Sequence, residues 1–440
     1  MTLIVAPWAY GGTTVASIKI IILLLEIVIG LWGVELLVRR RWPEIPTLLI
    51  VASTALLALG WFMAWNAGAV YDTEFQSFSP TSKIIALAPS SVDQATSTAW
   101  MIRVSVLLGA LLFVTDLSNR LDWTRRIWVA LGAAGGSIAL LGLLQRATGA
   151  VLPFWEYRPW EFSTFFATYY YHANAGAFLN LVLPLAAGLA LRSFARTRQP
   201  VQRAIWLAVT FLILVAVFVN TSRVAQLLSG LTLAALVMGP ARRPLIEALR
   251  GHRSAVLIVL TTTFVVLIVA ARPNIAGTPA QRWHQVTEQI PKDARWAAYR
   301  IALQALPDAG WTGFGPGTFR LIFPEYERLH AVEEPGQWQS LHQDYLQTIL
   351  EWGWTGAACW AVVLFGGIAV AIRGLGNLRR QSPGSRPSRA LPLVLIALGT
   401  VLLHSLVDFP LQVASLQLYA ATYLGICWSA CGTSGRLAHK

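Results

Sequence analysis

Arg223 stands in Asn220-Thr221-Ser222-Arg223, between two apolar runs with almost no loop to separate them. An arginine there costs several kcal/mol unless it is paired or wetted. Two readings fit: a guanidinium fork held for a phosphate or diphosphate, or an arginine snorkelling at the end of a span. His342, in Ser340-Leu341-His342-Gln343-Asp344-Tyr345, lies where a long polar segment returns to an apolar run. Histidine has the pKa for general-base work near neutrality, and Asp344 and Tyr345 stand close enough in sequence to orient it. Arg295 and Arg300 are five apart on an expected helix, so they point roughly 140° apart and both cannot serve one site equally. His404 and Asp408 are four apart and share a helix face, ahead of the chain break at Asp408-Phe409-Pro410. A buried Asp408 is a counter-ion for Arg223 or another outer arginine, in a structural or an active-site pair, and His404 is a candidate for a proton relay.

The elements that must position these groups are membrane spans. Of the 440 residues, 55% are hydrophobic and only 12% charged, about half the charge of a soluble chain. Eleven apolar runs are long enough to cross a roughly 30 Å hydrocarbon core, near 17–38, 47–65, 99–116, 127–145, 172–191, 204–220, 224–239, 255–271, 346–372, 390–407 and 411–431. The net charge of +13 taken alone would suggest nucleic acid. The arginines explain it otherwise, because they alternate between loops: Arg39–Arg41, Arg120–Arg126, Arg192–Arg203, Arg242–Arg253 and Arg373–Arg389 hold most of them. Short basic loops stay cytoplasmic, so the amino terminus is expected outside and the carboxyl terminus inside. The basic balance then reports orientation, and no nucleic-acid surface is required.

The expected organisation is 1–271, eight transmembrane helices; 272–345, a polar extracytoplasmic subdomain; and 346–440, three more helices. The subdomain is rich in Trp, Phe and Tyr, so it can bury a small core, with helices expected around Ala294–Leu306 and Thr318–Leu329. Gly313-Phe314-Gly315-Pro316-Gly317 reads as a tight turn that positions the second of these. It lacks the Lys-Ser/Thr of a phosphate loop. A second outer loop, Leu152–Tyr171, is strongly aromatic, as an interfacial belt or a platform for sugars or lipid would be. Three cysteines in apolar runs support neither a disulfide framework nor a zinc site, and the outer segments carry no Asp-x-Asp pair or His/Cys metal constellation. The first fifteen residues, with Pro7 and Gly11-Gly12 and no basic n-region, read as a membrane-surface segment or the remnant of an upstream span.

Read in order, the chain resembles the O-antigen ligase family of membrane glycosyltransferases, which includes O-antigen polymerases and protein O-oligosaccharyltransferases. The stretches that carry the resemblance are His172–Phe178, Thr221-Ser222-Arg223, Arg295–Phe319, Phe323–Tyr326, His342–Gly356 and His404–Leu411. Gln343 and Val224 depart from the family's usual Asn and Gly, and the family's usual twelve spans with both ends inside become eleven with the start outside. The resemblance implies an all-α polytopic transmembrane bundle with a helical outer subdomain, GT-C-like in class, in a bacterial inner membrane. It implies metal-independent, inverting transfer of a glycan from an undecaprenyl-diphosphate carrier to an acceptor hydroxyl on lipid A-core, polysaccharide or protein, without a cofactor. On that reading His342 is the base, Arg223 with Arg295 or Arg300 binds the diphosphate, and Asp344, Asp408 and Tyr345 orient them. The competing classes are a polymerase of the same family, a small-anion transporter of bicarbonate type, and a non-catalytic envelope scaffold. A transporter usually shows internal repeats, and none stands out here.

Overall fold

The computed structural model describes residues 1–72, 74–75, 77–156, 164–196, 200–242, 283, 293–329, 338–381 and 390–430. The apolar runs form long helices because a backbone in hydrocarbon must satisfy its own hydrogen bonds. Among the described residues, seven helices are long and apolar enough to cross a membrane, and two shorter apolar ones accompany them. In chain order the helices are α1 (Thr2–Trp8), α2 (Val15–Val38), α3 (Thr47–Trp65), α4 (Gln94–Leu117), α5 (Leu121–Ala147), α6 (His172–Arg196), α7 (Pro200–Val219) and α8 (Arg223–Met238). Then follow α9 (Arg295–Ala309), α10 (Phe319–Leu329), α11 (Asp344–Gln381), α12 (Ala390–His404) and α13 (Ala414–Ser429). The expected span at 255–271 and the boundary at 271/272 lie outside the described residues.

The fold is an all-α polytopic bundle. Its hub is α6, whose apolar stretch is almost wholly buried against α5, α7, α8 and α12. The opposite extreme is α2, strongly apolar with only 11% of its apolar stretch buried, as suits a helix facing lipid. One departure from the expected helices is a small antiparallel hairpin, β1 (Ala69–Asp72) paired with β2 (Ser77–Pro80), in the loop after α3. Asp93 closes that loop: its carboxylate accepts from Tyr71 N at 3.0 Å and caps α4 through Thr96 N at 2.8 Å.

A second, smaller core joins α9 and α10 to the first turns of α11, through Ala298, Ala302, Phe319, Phe323, Leu341 and Leu350. The Gly313–Gly317 turn ties this core to the bundle more deeply than a positioning turn need. Phe314 N and Gly315 N donate to Leu350 O and Glu351 O, both at 2.9 Å, and Thr355 N donates back to Trp311 O at 3.0 Å. The turn is thereby wedged into α11, which breaks at Gly353 (φ 62°, ψ −175°). Glu351 also accepts from Gly317 N at 3.0 Å and Phe319 N at 3.3 Å, so it holds the start of α10.

The first residues form α1 and a turn packed on α5 and α13: Thr168 Oγ1 donates to Pro7 O at 2.6 Å, and Tyr10 stacks on Tyr170 of the aromatic outer loop. At the other end of the bundle, Arg41 donates to both oxygens of buried Asp116 at 3.0 and 2.7 Å and to Glu35 at 2.9 Å, locking the ends of α2 and α4.

Candidate active site

His342 sits two residues ahead of α11 with φ 60°, a left-handed conformation that a side chain disfavours. Four contacts impose it. Tyr299 Oη donates to His342 O at 2.7 Å, and Leu341 N donates to Gln347 Oε1 at 3.0 Å. Gln343 Oε1 accepts from Leu346 N, so the glutamine that replaces the family's asparagine caps the helix itself. Asp344 N donates to Ser405 O at 3.0 Å, fixing the segment against the turn beyond α12. The imidazole is walled on three sides by aromatic rings: Phe409 at 4.6 Å, Trp338 at 5.8 Å and Tyr171 at 5.9 Å between centroids, all edge-on.

Asp408 lies in the turn that follows α12, 2% exposed. Its Oδ1 is 3.0 Å from His342 Nδ1 and also accepts from Phe409 N at 3.0 Å. Its Oδ2 accepts from Tyr171 Oη at 3.2 Å, with Arg295 Nη2 3.9 Å away. Burial pushes the Asp408 carboxyl up, but the hydrogen bond from His342 and the charges of His342 and Arg295 outweigh it and hold it below the usual carboxylate range. An ionised carboxylate only accepts, so Nδ1 donates to Asp408, and in the neutral imidazole Nε2 is then the nitrogen with the lone pair. Burial raises Tyr171 well above its ordinary value, with the Asp408 charge adding to it, and pushes Tyr299 up to about 12, so both remain protonated donors.

Arg295 and Arg300 separate as their spacing requires. Arg295 donates to Tyr171 Oη at 2.9 Å and Val407 O at 2.8 Å; burial works against its charge, and neighbours that include the Asp408 and Asp293 carboxylates outweigh it. Arg300 is exposed on another side of α9. Of the two, it is Arg295 that lies beside Asp408.

Arg223 opens α8, half-buried behind the Ser222 cap. Its turn is pressed onto the start of α6: Asn220 Nδ2 donates to His172 O at 2.8 Å, and a Cβ on Gly176 would come within 2.4 Å of the Ala225 Cβ. Thr221, at φ 69°, is also left-handed. The link from Arg223 to the histidine thus runs through Asn220, His172 and Tyr171. Trp283 of the outer segment also reaches α8, donating to Gln226 Oε1 at 2.8 Å.

Asp344 and Tyr345 do not touch the imidazole in any bond described here. Asp344 accepts from Leu411 N at 2.9 Å and Gln412 Nε2 at 3.1 Å, and Tyr345 Oη donates to Leu402 O at 2.8 Å. Asp344 holds the α12–α13 connection that carries Asp408, and Tyr345 holds the last turn of α12, so any orienting effect on His342 is indirect. His404 is 1% exposed, with Nε2 4.0 Å from Asp408 Oδ2, too long for a hydrogen bond.

Sequence reasoning passed over Tyr171 and Tyr299. Tyr299 could have been found, since it lies four residues after Arg295 and so on the same helix face. Tyr171 gives no such signal inside a run of tyrosines.

The chain is therefore a multi-pass helical membrane protein that gathers a histidine–carboxylate pair, an arginine and a tyrosine at one end of its bundle. Residues 208–361 match the family described as O-Antigen ligase, a stretch that includes Arg223, Arg295 and His342 and ends before Asp408. That match covers a minor part of the chain and supports an O-antigen ligase family assignment, of membrane glycosyltransferases of ligase or polymerase type. No curated protein matches the chain.

Proposed function

We propose that this protein moves a glycan from an undecaprenyl-diphosphate carrier to an acceptor hydroxyl at the periplasmic face of a bacterial inner membrane. The observation that carries the reading is the pairing of His342 Nδ1 with Asp408 at 3.0 Å, with Arg295 beside the other carboxylate oxygen. Asp408 fixes the tautomer, and Nε2 takes the acceptor proton as the acceptor oxygen attacks the anomeric carbon. The bond from that carbon to the diphosphate oxygen breaks on the opposite side, so the configuration inverts. Negative charge grows on the leaving diphosphate, and Arg295 with Arg223 would stabilise it. Arg295 reaches the donor only by giving up part of its present bonding to Tyr171 and Val407. Helix α9 supplies Arg295 and Tyr299.

The acceptor separates ligase from polymerase. The test is a chromosomal His342→Ala exchange read by lipopolysaccharide electrophoresis, with membrane levels of the protein checked by blot. A ligase gives unligated carrier-linked polymer, whereas a polymerase gives core capped with a single repeat. A wild-type ladder at normal protein level would sink the assignment of His342 as base.

A further inference from the structure

A second site lies on the other side of the turn that carries Asp408. Helices α4 and α11 both pack on α3 and on α13 but stand apart from each other, leaving a cavity of about 300 Å³. Along α4 it runs from Trp100 to Leu111, roughly 16 Å at 1.5 Å per residue. The cavity is elongated and its wall is mostly apolar, which suits an extended hydrocarbon chain whose carbons pack at about 4 Å against the lining.

Its lining changes along its length. The end level with the catalytic turn carries Asp344, Glu351, Gln412 and Gln417, and the far end carries Leu111, Leu364 and Leu424. That gradient matches an amphiphile with its head at the membrane surface. Two acceptors at the polar end are left over: Gln412 spends its Nε2 on Asp344 and Gln417 its Nε2 on Leu411 O, while both Oε1 atoms are buried without a partner among the described residues. No arginine or lysine is among the lining residues, and Arg103, stacked on the lining Trp100, donates to Gln412 O at 2.7 Å. Two carboxyl groups and two open acceptors suit a head that donates hydrogen bonds, and repel a diphosphate.

We propose that this slot holds one hydrocarbon chain of a lipid whose head group donates hydrogen bonds, an ammonium or hydroxyl head, distinct from the diphosphate-linked donor. Its polar end is built from Asp344 and Gln412, which grip the turn bearing Asp408, so its occupant braces the histidine–carboxylate pair from behind. The proposal does not depend on the reaction proposed above.

The test uses the full chain in vesicles doped with one of three lipids bearing a photoreactive diazirine on the chain: phosphatidylethanolamine, phosphatidic acid or polyprenyl phosphate. Peptides from α4 and α13 should label with phosphatidylethanolamine above the lipid-facing surface of α2, and phosphatidic acid should label them less. Ala421→Trp, which fills the slot, should abolish slot labelling while leaving α2 labelling intact. Gln417→Leu keeps the volume and removes one acceptor; it should cut the phosphatidylethanolamine signal about fivefold, and it decides alone should Ala421→Trp lose the fold. Slot labelling no stronger than α2, equal labelling by phosphatidic acid, or stronger labelling by polyprenyl phosphate would each overturn the proposal.

Discussion

At the residue scale the account rests on how Asp408 divides its oxygens, one to His342 and one to Tyr171 and Arg295. Asp408→Asn keeps the shape and removes the charge that fixes the imidazole tautomer, so the transfer rate should fall about 10²-fold or more at unchanged protein level. The same variant has a pH signature. The folded Asp408 pKa is depressed, so its contribution to stability is fully present above the ordinary carboxylate pKa and is lost as pH falls through the folded value. The difference in thermal midpoint between wild type and variant should hold from neutral pH to about pH 5 and shrink below about pH 4. Tyr171→Phe removes the hydroxyl that bridges Asp408 and Arg295 and should slow transfer about tenfold, measured with purified enzyme.

The chemistry-bearing residues were legible because charged and imidazole groups at the ends of apolar runs are costly and therefore conspicuous. Arg223, His342 and Asp408 stood out on those grounds. Which arginine faces the site, and that Asp408 bonds the imidazole while Asp344 grips the turn behind it, depends on how α9 and α11 pack, which spacing within one helix cannot report.

At the scale of elements, the wedge of Gly313–Gly317 into α11 sets where the outer segment ends and the span begins. A Cβ on Gly313 would lie 2.4 Å from Glu351 O, with φ at 80°, so neither backbone nor neighbour can yield. Gly313→Ala should cost about 2 kcal/mol or more in stability, measured by thermal unfolding in detergent, and should loosen His342 with it. This device was half visible in sequence. The glycines announced a turn, but Gly353 sits in an apolar run where a helix break and a tolerated glycine look the same. The hairpin after α3 escaped for a related reason, its strands being only four residues each.

At the scale of the whole molecule, the bundle has two differently built ends. One carries the histidine site, and the other is locked by Arg41 between Asp116 and Glu35. Removing Arg41 strands the buried Asp116, so Arg41→Met should destabilise the protein by about 3 kcal/mol while sparing the transfer rate of the folded fraction. Asp408→Asn should show the reverse, with activity lost before stability. The basic loops predicted which ends share a face, because hydropathy and charge act on whole segments.

The most direct test is single-turnover transfer by purified protein, using an undecaprenyl-diphosphate-linked glycan and its acceptor, with wild type and His342→Ala compared at matched folded fraction. The account predicts that the variant still binds the donor but transfers at least about 10²-fold more slowly. Transfer by His342→Ala at the wild-type rate would contradict it.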